Sequence, residues 1–220
     1  DLRTSRGLGD VYKRQAPRYA NFWSNNIDIK SLNVQNGTYK GEPYRYVVLR
    51  RTLLYPQKIG RLKIEPLTLD ISVQVPSNRR DFFGNLISSS VNKTVSAGSS
   101  FIDVKPLPID NKPNDFSGAV GDFNFEIKSD KKELLIDEAF QLSLIISGNG
   151  NFNLFEDPKI SLPSSLEVYE PEKISNVSVR AGGIRGKVTN KFTIVPNVPG
   201  KYTIPQTKFS FFNPQVEEYV

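Results

Sequence analysis

The stretch Leu67-Thr-Leu-Asp-Ile-Ser-Val-Gln-Val75 alternates apolar and polar residues along its whole length. Side chains of a β-strand point alternately to the two faces of a sheet, so this pattern predicts a strand with one buried face and one face in water. The same period of two recurs in Phe123–Ile127, Leu142–Ile146 and Val188–Ile194, and at Phe209 and Phe211. The sequence therefore predicts a chain made of many short strands.

Helical patterns are missing from the sequence. No segment repeats apolar residues with the period of a helix, and the 15 prolines and 15 glycines lie mostly between the strand patterns, where they end strands. Short strands separated by such residues are typical of antiparallel sandwiches. We therefore predict an all-β chain of tandem Ig-like antiparallel β-sandwich domains. Gly182-Gly183, between two strand patterns, predicts a tight hairpin.

An internal repeat indicates two related domains. Tyr55-Pro-Gln-Lys-Ile-Gly-Arg-Leu-Lys-Ile64 lines up with Val195-Pro-Asn-Val-Pro-Gly-Lys-Tyr-Thr-Ile204, and each copy is followed by a proline, Pro66 or Pro205. Both copies predict a strand, a Pro-to-Gly turn and a return strand broken by proline. Fewer residues precede the first turn than precede its copy inside the second domain. The first domain is therefore expected to be truncated at its N-terminus.

The domain boundary is predicted at Lys105-Pro-Leu-Pro-Ile-Asp-Asn-Lys-Pro-Asn-Asp115, a composition typical of a semi-extended linker. We predict a first sandwich over 16–109, a linker over 110–116 and a second sandwich over 117–220. Residues 1–15 have no strand or helix period and are interpreted as translated adapter sequence or a disordered arm.

Individual elements follow from the same patterns. The polar stretch 77–100 predicts a long loop with Phe82 or Phe83 folded back onto the sheet. Strands are predicted over 27–33, 44–55, 62–75 and 101–105 in the first domain. In the second domain they are predicted over 123–128, 134–137, 141–147, 166–169, 173–180, 184–195 and 201–212.

Composition excludes several function classes. The 220 residues contain no His, Cys or Met, which removes Ser-His and Cys-His nucleophiles, thiol redox chemistry and the usual zinc sites. The net charge of +6 comes from 29 Lys and Arg against 23 Asp and Glu, without a block of five like charges. We expect no enzyme activity, no catalytic, cofactor-binding or metal-binding residue, and no nucleic-acid partner.

Several motifs resemble ligand or catalytic sites, and a structural interpretation is favoured for each. A phosphate loop at Ser117-Gly-Ala-Val-Gly121 would need a lysine and a following helix, and a calcium loop at Ser147-Gly-Asn-Gly-Asn151 would need an acidic cluster. Three other sets are interpreted as solvated surface or domain packing: the carboxylate pairs Glu156-Asp157 and Glu167 with Glu170, the arginine pairs Arg50-Arg51 and Arg79-Arg80, and Phe22 with Trp23.

A set of motifs in fixed order resembles the BatD family of aerotolerance, or oxygen-tolerance, proteins. The signature is Val104-Lys-Pro-Leu-Pro108 followed by Asp115-Phe-Ser-Gly-Ala-Val-Gly-Asp-Phe123. The supporting pieces are Asn21-Phe-Trp23, Leu54-Tyr-Pro-Gln-Lys-Ile-Gly60, Ser147–Asn151, Val168-Tyr-Glu-Pro171 and Pro199-Gly-Lys-Tyr-Thr-Ile-Pro205. The resemblance covers about residues 16–219.

The resemblance implies an internal fragment of a larger protein. Family members are expected to carry tandem Ig-like sandwiches on the periplasmic face of the bacterial inner membrane, behind a signal peptide and before a C-terminal membrane helix, both absent from this sequence. The implied partners are von Willebrand A-domain and tetratricopeptide-repeat proteins of the same membrane system. The implied function is non-enzymatic protein–protein interaction or scaffolding, and a glycan- or surface-binding β-sandwich module is the alternative. The resemblance leaves the partner-binding residues unknown.

Overall fold

The computed structural model describes residues 11–15 and 17–220, and no helix occurs among them. The predicted all-β class is confirmed, and sheets with mainly antiparallel pairing are consistent with β-sandwiches. The Ig-like form stays a prediction. The described strands are β1 Val11–Gln15, β2 Phe22–Ile27, β3 Gln35–Tyr39, β4 Glu42–Tyr46, β5 Arg51–Pro56, β6 Gly60–Ile64, β7 Thr68–Arg80, β8 Leu86–Ser96, β9 Ser100–Val104, β10 Ala119–Ser129, β11 Phe140–Gly150, β12 Leu166–Val168, β13 Glu172–Arg180, β14 Gly183–Pro196, β15 Phe211–Asn213 and β16 Glu218–Tyr219.

The chain divides into two compact units. The first contains the described residues up to Ser24 together with Leu54–Pro106, and the second contains Asn25–Leu53 and Leu107–Val220. The division at Pro106 lies in the Pro-rich stretch that the sequence predicts as the boundary. Asn25–Leu53 belongs to the second unit, whereas the sequence places these residues in the first domain, 16–109. A period-two pattern predicts a strand but does not say which sheet the strand joins.

The first unit contains a long β-hairpin. β7 pairs antiparallel with β8, with Thr68 opposite Ser96 and Val75 opposite Ser89, and the sheet order is β1-β7-β8. The strand predicted from the alternation of residues 67–75 is therefore confirmed. The loop predicted over 77–100 is wrong, because residues 77–80 belong to β7 and Leu86–Ser96 forms β8. A serine-rich strand with both faces exposed has no apolar alternation by which the sequence could reveal it.

The second unit is organised around one large sheet. Its strand order is β12-β14-β11-β10-β15-β16, and β13 also pairs with β14. Hairpin β10–β11 runs from Gly121 opposite Gly150 to Ser129 opposite Leu142, and β10–β15 is a short parallel pair. The hairpin predicted at Gly182-Gly183 is confirmed, since β13 and β14 meet there and Gly183 has a φ of 118°. The separate β3–β4 hairpin pairs Gln35 with Tyr46 and Tyr39 with Glu42.

One face of this large sheet carries the core. Leu142, Leu144 and Ile146 of β11 are buried, as the alternation predicts, and Ile194 of β14 lies beside them. The core cluster joins Phe140, Leu142, Leu144, Leu166 and Ile194. Non-strand segments cover it, because Ile160, Leu162, Tyr202 and Ile204 pack against the cluster. The second layer over the sheet is therefore largely irregular chain.

Three predicted strands are wrong, and two others, predicted over 44–55 and 62–75, are each two separate strands in different sheets, β4 with β5 and β6 with β7. Residues 134–137 form a turn with Asp137 at a φ of 61°, and Leu135 is 77% exposed. Residues 201–210 form no strand, and pairing begins only at Phe211, so the return strand of the repeat exists after Gly60 but not after Gly200. The strand expected over 27–33 instead spans Phe22–Ile27. Apolar residues in 134–137 and 201–210 lie exposed or pack on the core without forming a ladder, and the sequence pattern alone does not distinguish these outcomes from a strand.

The stretch 106–115 is expected to be the first site of limited proteolysis. All of its residues except Pro113 are exposed, and its backbone makes few hydrogen bonds with described residues, one of them from the Lys112 N–H to the Ile109 carbonyl at 3.4 Å. Local opening of such a segment has a low free-energy cost. Subtilisin should cut there first, whereas trypsin should not, because Lys105 and Lys112 precede prolines. A first cut inside 119–196 would show that the boundary is misplaced.

Candidate interaction surface

The two glycine motifs meet inside the second unit. Asn151, which is buried, accepts a hydrogen bond from the Val120 N–H at 2.7 Å on its Oδ1 and donates from Nδ2 to the Gly118 carbonyl at 2.9 Å. Its own N–H donates to the Val120 carbonyl at 3.1 Å. Hydrogen bonds between their polar groups thus hold Ser117–Gly121 against Ser147–Asn151. This geometry gives both motifs a structural role.

The glycines of these motifs allow two backbones and an aromatic ring to approach closely. A Cβ on Gly148, whose φ is 148°, would lie 2.1 Å from the Asp122 carbonyl oxygen. A Cβ on Gly150 would lie 2.4 Å from the Phe123 ring. That ring is the centre of an aromatic cluster whose centroid distances run from 5.1 to 5.9 Å, to Phe152, Phe155, Phe209 and Phe211. The glycines of the two motifs therefore allow β10, β11 and the Phe123 ring to pack closely in the core.

Two of the candidate carboxylates, Asp157 and Glu167, make local contacts in the described chain. Asp157 is bound to Lys173 Nζ at 2.5 Å. Glu156 and Asp157 line an open groove of about 810 Å³ together with Asp115, whose carboxylate accepts from the Ser210 hydroxyl at 3.1 Å. Glu167 raises the pKa of the Tyr169 hydroxyl by accepting its hydrogen bond. Among the described residues, no group of three or more acidic side chains is placed to hold a metal ion.

The remaining sequence candidates are also engaged in local structure. Arg50 donates to the Asn26 side-chain oxygen at 2.8 Å and to Thr52 at 3.1 Å. Phe22 is buried, and the Trp23 ring lies 5.9 Å from that of Tyr55 at an interplanar angle of 55°. A tilted aromatic pair beside a buried phenylalanine is packing geometry rather than a flat platform for a sugar ring.

Hairpin β7–β8 ends in two of the most exposed aromatic side chains of the described chain. Phe82 is 98% exposed and Phe83 is 84% exposed, with ring centroids 5.6 Å apart at 89°. The prediction that one of them folds back onto the sheet is wrong. Exposing two whole phenylalanine rings to water is unfavourable, and such exposed apolar groups mark interaction sites. We call residues 81–85 the hairpin tip.

The hairpin tip is held in one conformation by its own polar groups. Asp81 Oδ1 accepts hydrogen bonds from the Phe83 N–H at 2.9 Å and the Asn85 N–H at 2.8 Å, and Gly84 takes a φ of 81°. Arg80 Nη1 donates to the Gly84 carbonyl at 2.6 Å. An Asp at the first position of a turn and a Gly three residues later is a recognised turn signal. That signal in Asp81-Phe-Phe-Gly84 would have allowed the sequence to predict the tip.

The ordering of the hairpin tip is expected to depend on pH through Asp81. The hydrogen bond from the Asn85 N–H is the largest influence on the Asp81 carboxyl and lowers its pKa below the ordinary value of 3.8; desolvation, the next largest, opposes it, and the Asn85 side chain and the Phe83 N–H lower the pKa further. A depressed pKa means that the charged carboxylate stabilises the tip above pH 3.8 and that this stabilisation is lost as the pH falls through the lowered pKa. An NMR titration of the Asn85 amide should therefore show a midpoint below 3.8. A midpoint at or above that value would contradict the tip geometry.

Edge strand β8 extends this exposed surface. In the order β1-β7-β8 the described chain pairs β8 on one side only. Its apolar residues Leu86, Ile87 and Val91 are exposed, and Lys93 is its one charged residue. Natural edge strands are usually protected by charges, proline or bulges. The hairpin thus presents apolar side chains both at its tip and along its free edge.

Comparison with known proteins gives one match. The family model described as the BatD DUF11-like domain matches residues 127–219, which lie in the second unit. Neither the curated proteins nor the solved structures gave a match. In the described part of the chain, no helix has the length and apolar character needed to cross a membrane.

The recognition of the BatD family from the ordered motifs is confirmed over residues 127–219. This family is associated with aerotolerance and with membranes. The match covers the sheet from the end of β10 onward, including the Ser147–Asn151 motif.

Proposed function

We propose that this chain is a non-enzymatic, periplasmic part of a membrane-anchored aerotolerance protein, and that it acts by protein–protein interaction within a membrane complex. The observation that carries the proposal is the hairpin tip, where Phe82 and Phe83 lie almost fully in water. The family match supports the membrane and aerotolerance context. The proposed partners are the von Willebrand A-domain and tetratricopeptide-repeat proteins of the same system.

The hairpin tip has the properties of an interface anchor. Aromatic side chains that fill a partner pocket supply much of the binding free energy of an interface. The hydrogen bonds of Asp81 fix the tip before binding, so little conformational entropy is lost when a partner orders it. Arg79, three residues before Phe82, is also exposed, which favours a pocket with an acidic rim.

Replacing Phe82 and Phe83 with serine is expected to abolish partner capture without changing stability. Purified chain would be immobilised and mixed with membrane extract containing tagged von Willebrand A-domain and tetratricopeptide-repeat proteins. Wild type should retain one of them, and F82S/F83S should retain less than about a tenth as much, because two anchors are lost. The matched control is L135S, which removes an exposed leucine elsewhere and should bind like wild type. Equal capture by F82S/F83S and wild type would refute the role of the tip.

A glycan-binding role is the second candidate, and the β3–β4 hairpin is the observation that favours it. Tyr39, Tyr44 and Tyr46 are exposed and share one face, because Tyr39 lies opposite Glu42 in the register. However, the rings of Tyr39 and Tyr44 are nearly perpendicular, at 84°, so they do not form a flat row. Sedimentation with insoluble peptidoglycan, compared between wild type and Y44A/Y46A, tests this candidate; equal sedimentation excludes it.

A further inference from the structure

Strand β13 leaves one edge of the large sheet open. Within the described residues it pairs only with β14, from Glu172 opposite Lys191 to Arg180 opposite Gly183. No backbone hydrogen bond from a turn or loop of the described residues reaches its other edge. An edge of this kind presents N–H and C=O groups that pair readily with another extended chain.

The interior of β13 lacks the usual protection of an edge strand. Its sequence is Glu172-Lys-Ile-Ser-Asn-Val-Ser-Val-Arg180, so the interior from Ile174 to Val179 has neither a charge nor a proline. Ser175, Asn176 and Ser178 are exposed. An uncharged, accessible edge of six residues is long enough for one added strand of ordinary length.

The outer face of the β13–β14 hairpin is basic. On β14 the even-numbered residues face the core, where Ile184, Val188 and Ile194 are buried, so the odd-numbered residues face outward. The outward charges of the two strands are Arg180, Arg185, Lys187 and Lys191 against Glu172, which lies opposite Lys191.

The positive charge of this face is largely unneutralised within the described chain. Arg180, Arg185 and Lys191 form no ion pair with described residues, and Lys187 acts on Glu126 only at longer range, lowering its pKa as a minor cause. Neighbouring β11 contributes no charge to the face, because its outward residues opposite β14 are Ser143, Ile145, Ser147 and Asn149. The acidic side chains on strands paired with β14 lie toward its other end, with Glu172 opposite Lys191 and Glu167 of β12 opposite Val195, away from Arg180 and Arg185.

We propose that the free edge of β13 binds an extended acidic segment of a partner protein, which adds as a further strand to the large sheet. The backbone of the segment pairs with Ser175–Val179, and its outward side chains place carboxylates near Arg180 and Arg185. Backbone pairing supplies affinity in this mode, and the alternating side chains supply specificity. The inference rests on the proposed role in protein interaction, but it uses residues other than the hairpin tip.

The probe is a fluorescent, end-blocked peptide of alternating glutamate and valine, added to the full chain at low salt. We expect saturable binding in fluorescence anisotropy and slowed hydrogen exchange of the β13 amides. Binding should weaken by about tenfold in R180E/R185E, since attraction at two exposed positions becomes repulsion. The matched control K93E/K201E makes the same change in net charge at exposed lysines elsewhere and should bind within about twofold of wild type.

Two further peptides test the ladder itself. A version N-methylated through its centre cannot donate backbone hydrogen bonds and should not bind, and a version with lysine in place of glutamate should not bind either. Binding of the N-methylated peptide, or absence of protection in β13, would overturn the proposal. The proposal would also be overturned if single-stranded DNA or anionic vesicles displaced the peptide without slowing hydrogen exchange of the β13 amides. F82S/F83S should bind the peptide as wild type does. The experiment therefore tests strand addition at β13 separately from the proposed role of the hairpin tip in partner binding.

Discussion

Replacing Gly148 with alanine will destabilise the second unit by roughly 3 kcal/mol or more. The φ of 148° is one that L-residues rarely adopt, and the new Cβ would lie 2.1 Å from the Asp122 carbonyl oxygen. That oxygen belongs to the backbone of β10, which is paired with β11 and cannot move without breaking the ladder. Denaturant-dependent hydrogen exchange of the β11 amides measures the free energy of unfolding of this unit.

The matched control for this substitution is Gly182→Ala. Gly182 lies in the turn between β13 and β14, its Cβ would meet nothing within 4 Å, and its φ lies outside the left-handed range. The free energy of unfolding should change by less than about 1 kcal/mol, and alanine restricts the unfolded chain slightly, which favours folding. If G148A and G182A have equal stabilities, the close approach of β10 and β11 at the glycine motif is wrong.

Replacing Leu142 with alanine will lower the free energy of unfolding of the second unit by about 2–5 kcal/mol. Leu142 is fully buried on the core face of β11, in the cluster that includes Phe140, Leu144 and Ile194. Truncation removes apolar burial and leaves a cavity that paired strands cannot close. The same exchange measurement on β14 amides reports the loss.

Leu135→Ala is the control of identical chemistry for the core substitution. Leu135 lies in the turn before β11 and is 77% exposed, so its truncation should change the free energy of unfolding by less than about 0.5 kcal/mol. A loss in L135A as large as that in L142A would mean that the core face of the sheet has been assigned wrongly.

The strands with clean alternation were predictable from sequence. Leu142, Leu144 and Ile146 each face the core as the period of two requires, and the Gly182-Gly183 turn lies between β13 and β14. In these segments, local pattern and tertiary burial agree, so the pattern alone identifies both the strand and its inner face.

The errors occurred where pattern and burial disagree. β8 is a strand exposed on both faces, so its serines gave no period, and residues 201–210 pack apolar side chains such as Tyr202 and Ile204 onto the core without joining a ladder. The hairpin tip was missed as a site for the same reason. Two adjacent phenylalanines suggested burial, whereas the Asp81 turn holds both rings in water.

Photo-crosslinking from the hairpin tip tests the central claim most directly. A benzoyl-phenylalanine placed at position 82 keeps the aromatic character of Phe82 and reacts with whatever lies within a few ångströms, and the same group at position 135 serves as the control. On bacterial membranes containing the von Willebrand A-domain and tetratricopeptide-repeat proteins, we predict crosslinking of position 82, and not of position 135, to one of those proteins. Crosslinks from position 82 only to lipid or glycan, or equal protein crosslinking from both positions, would contradict the assignment of the tip as a protein-binding anchor.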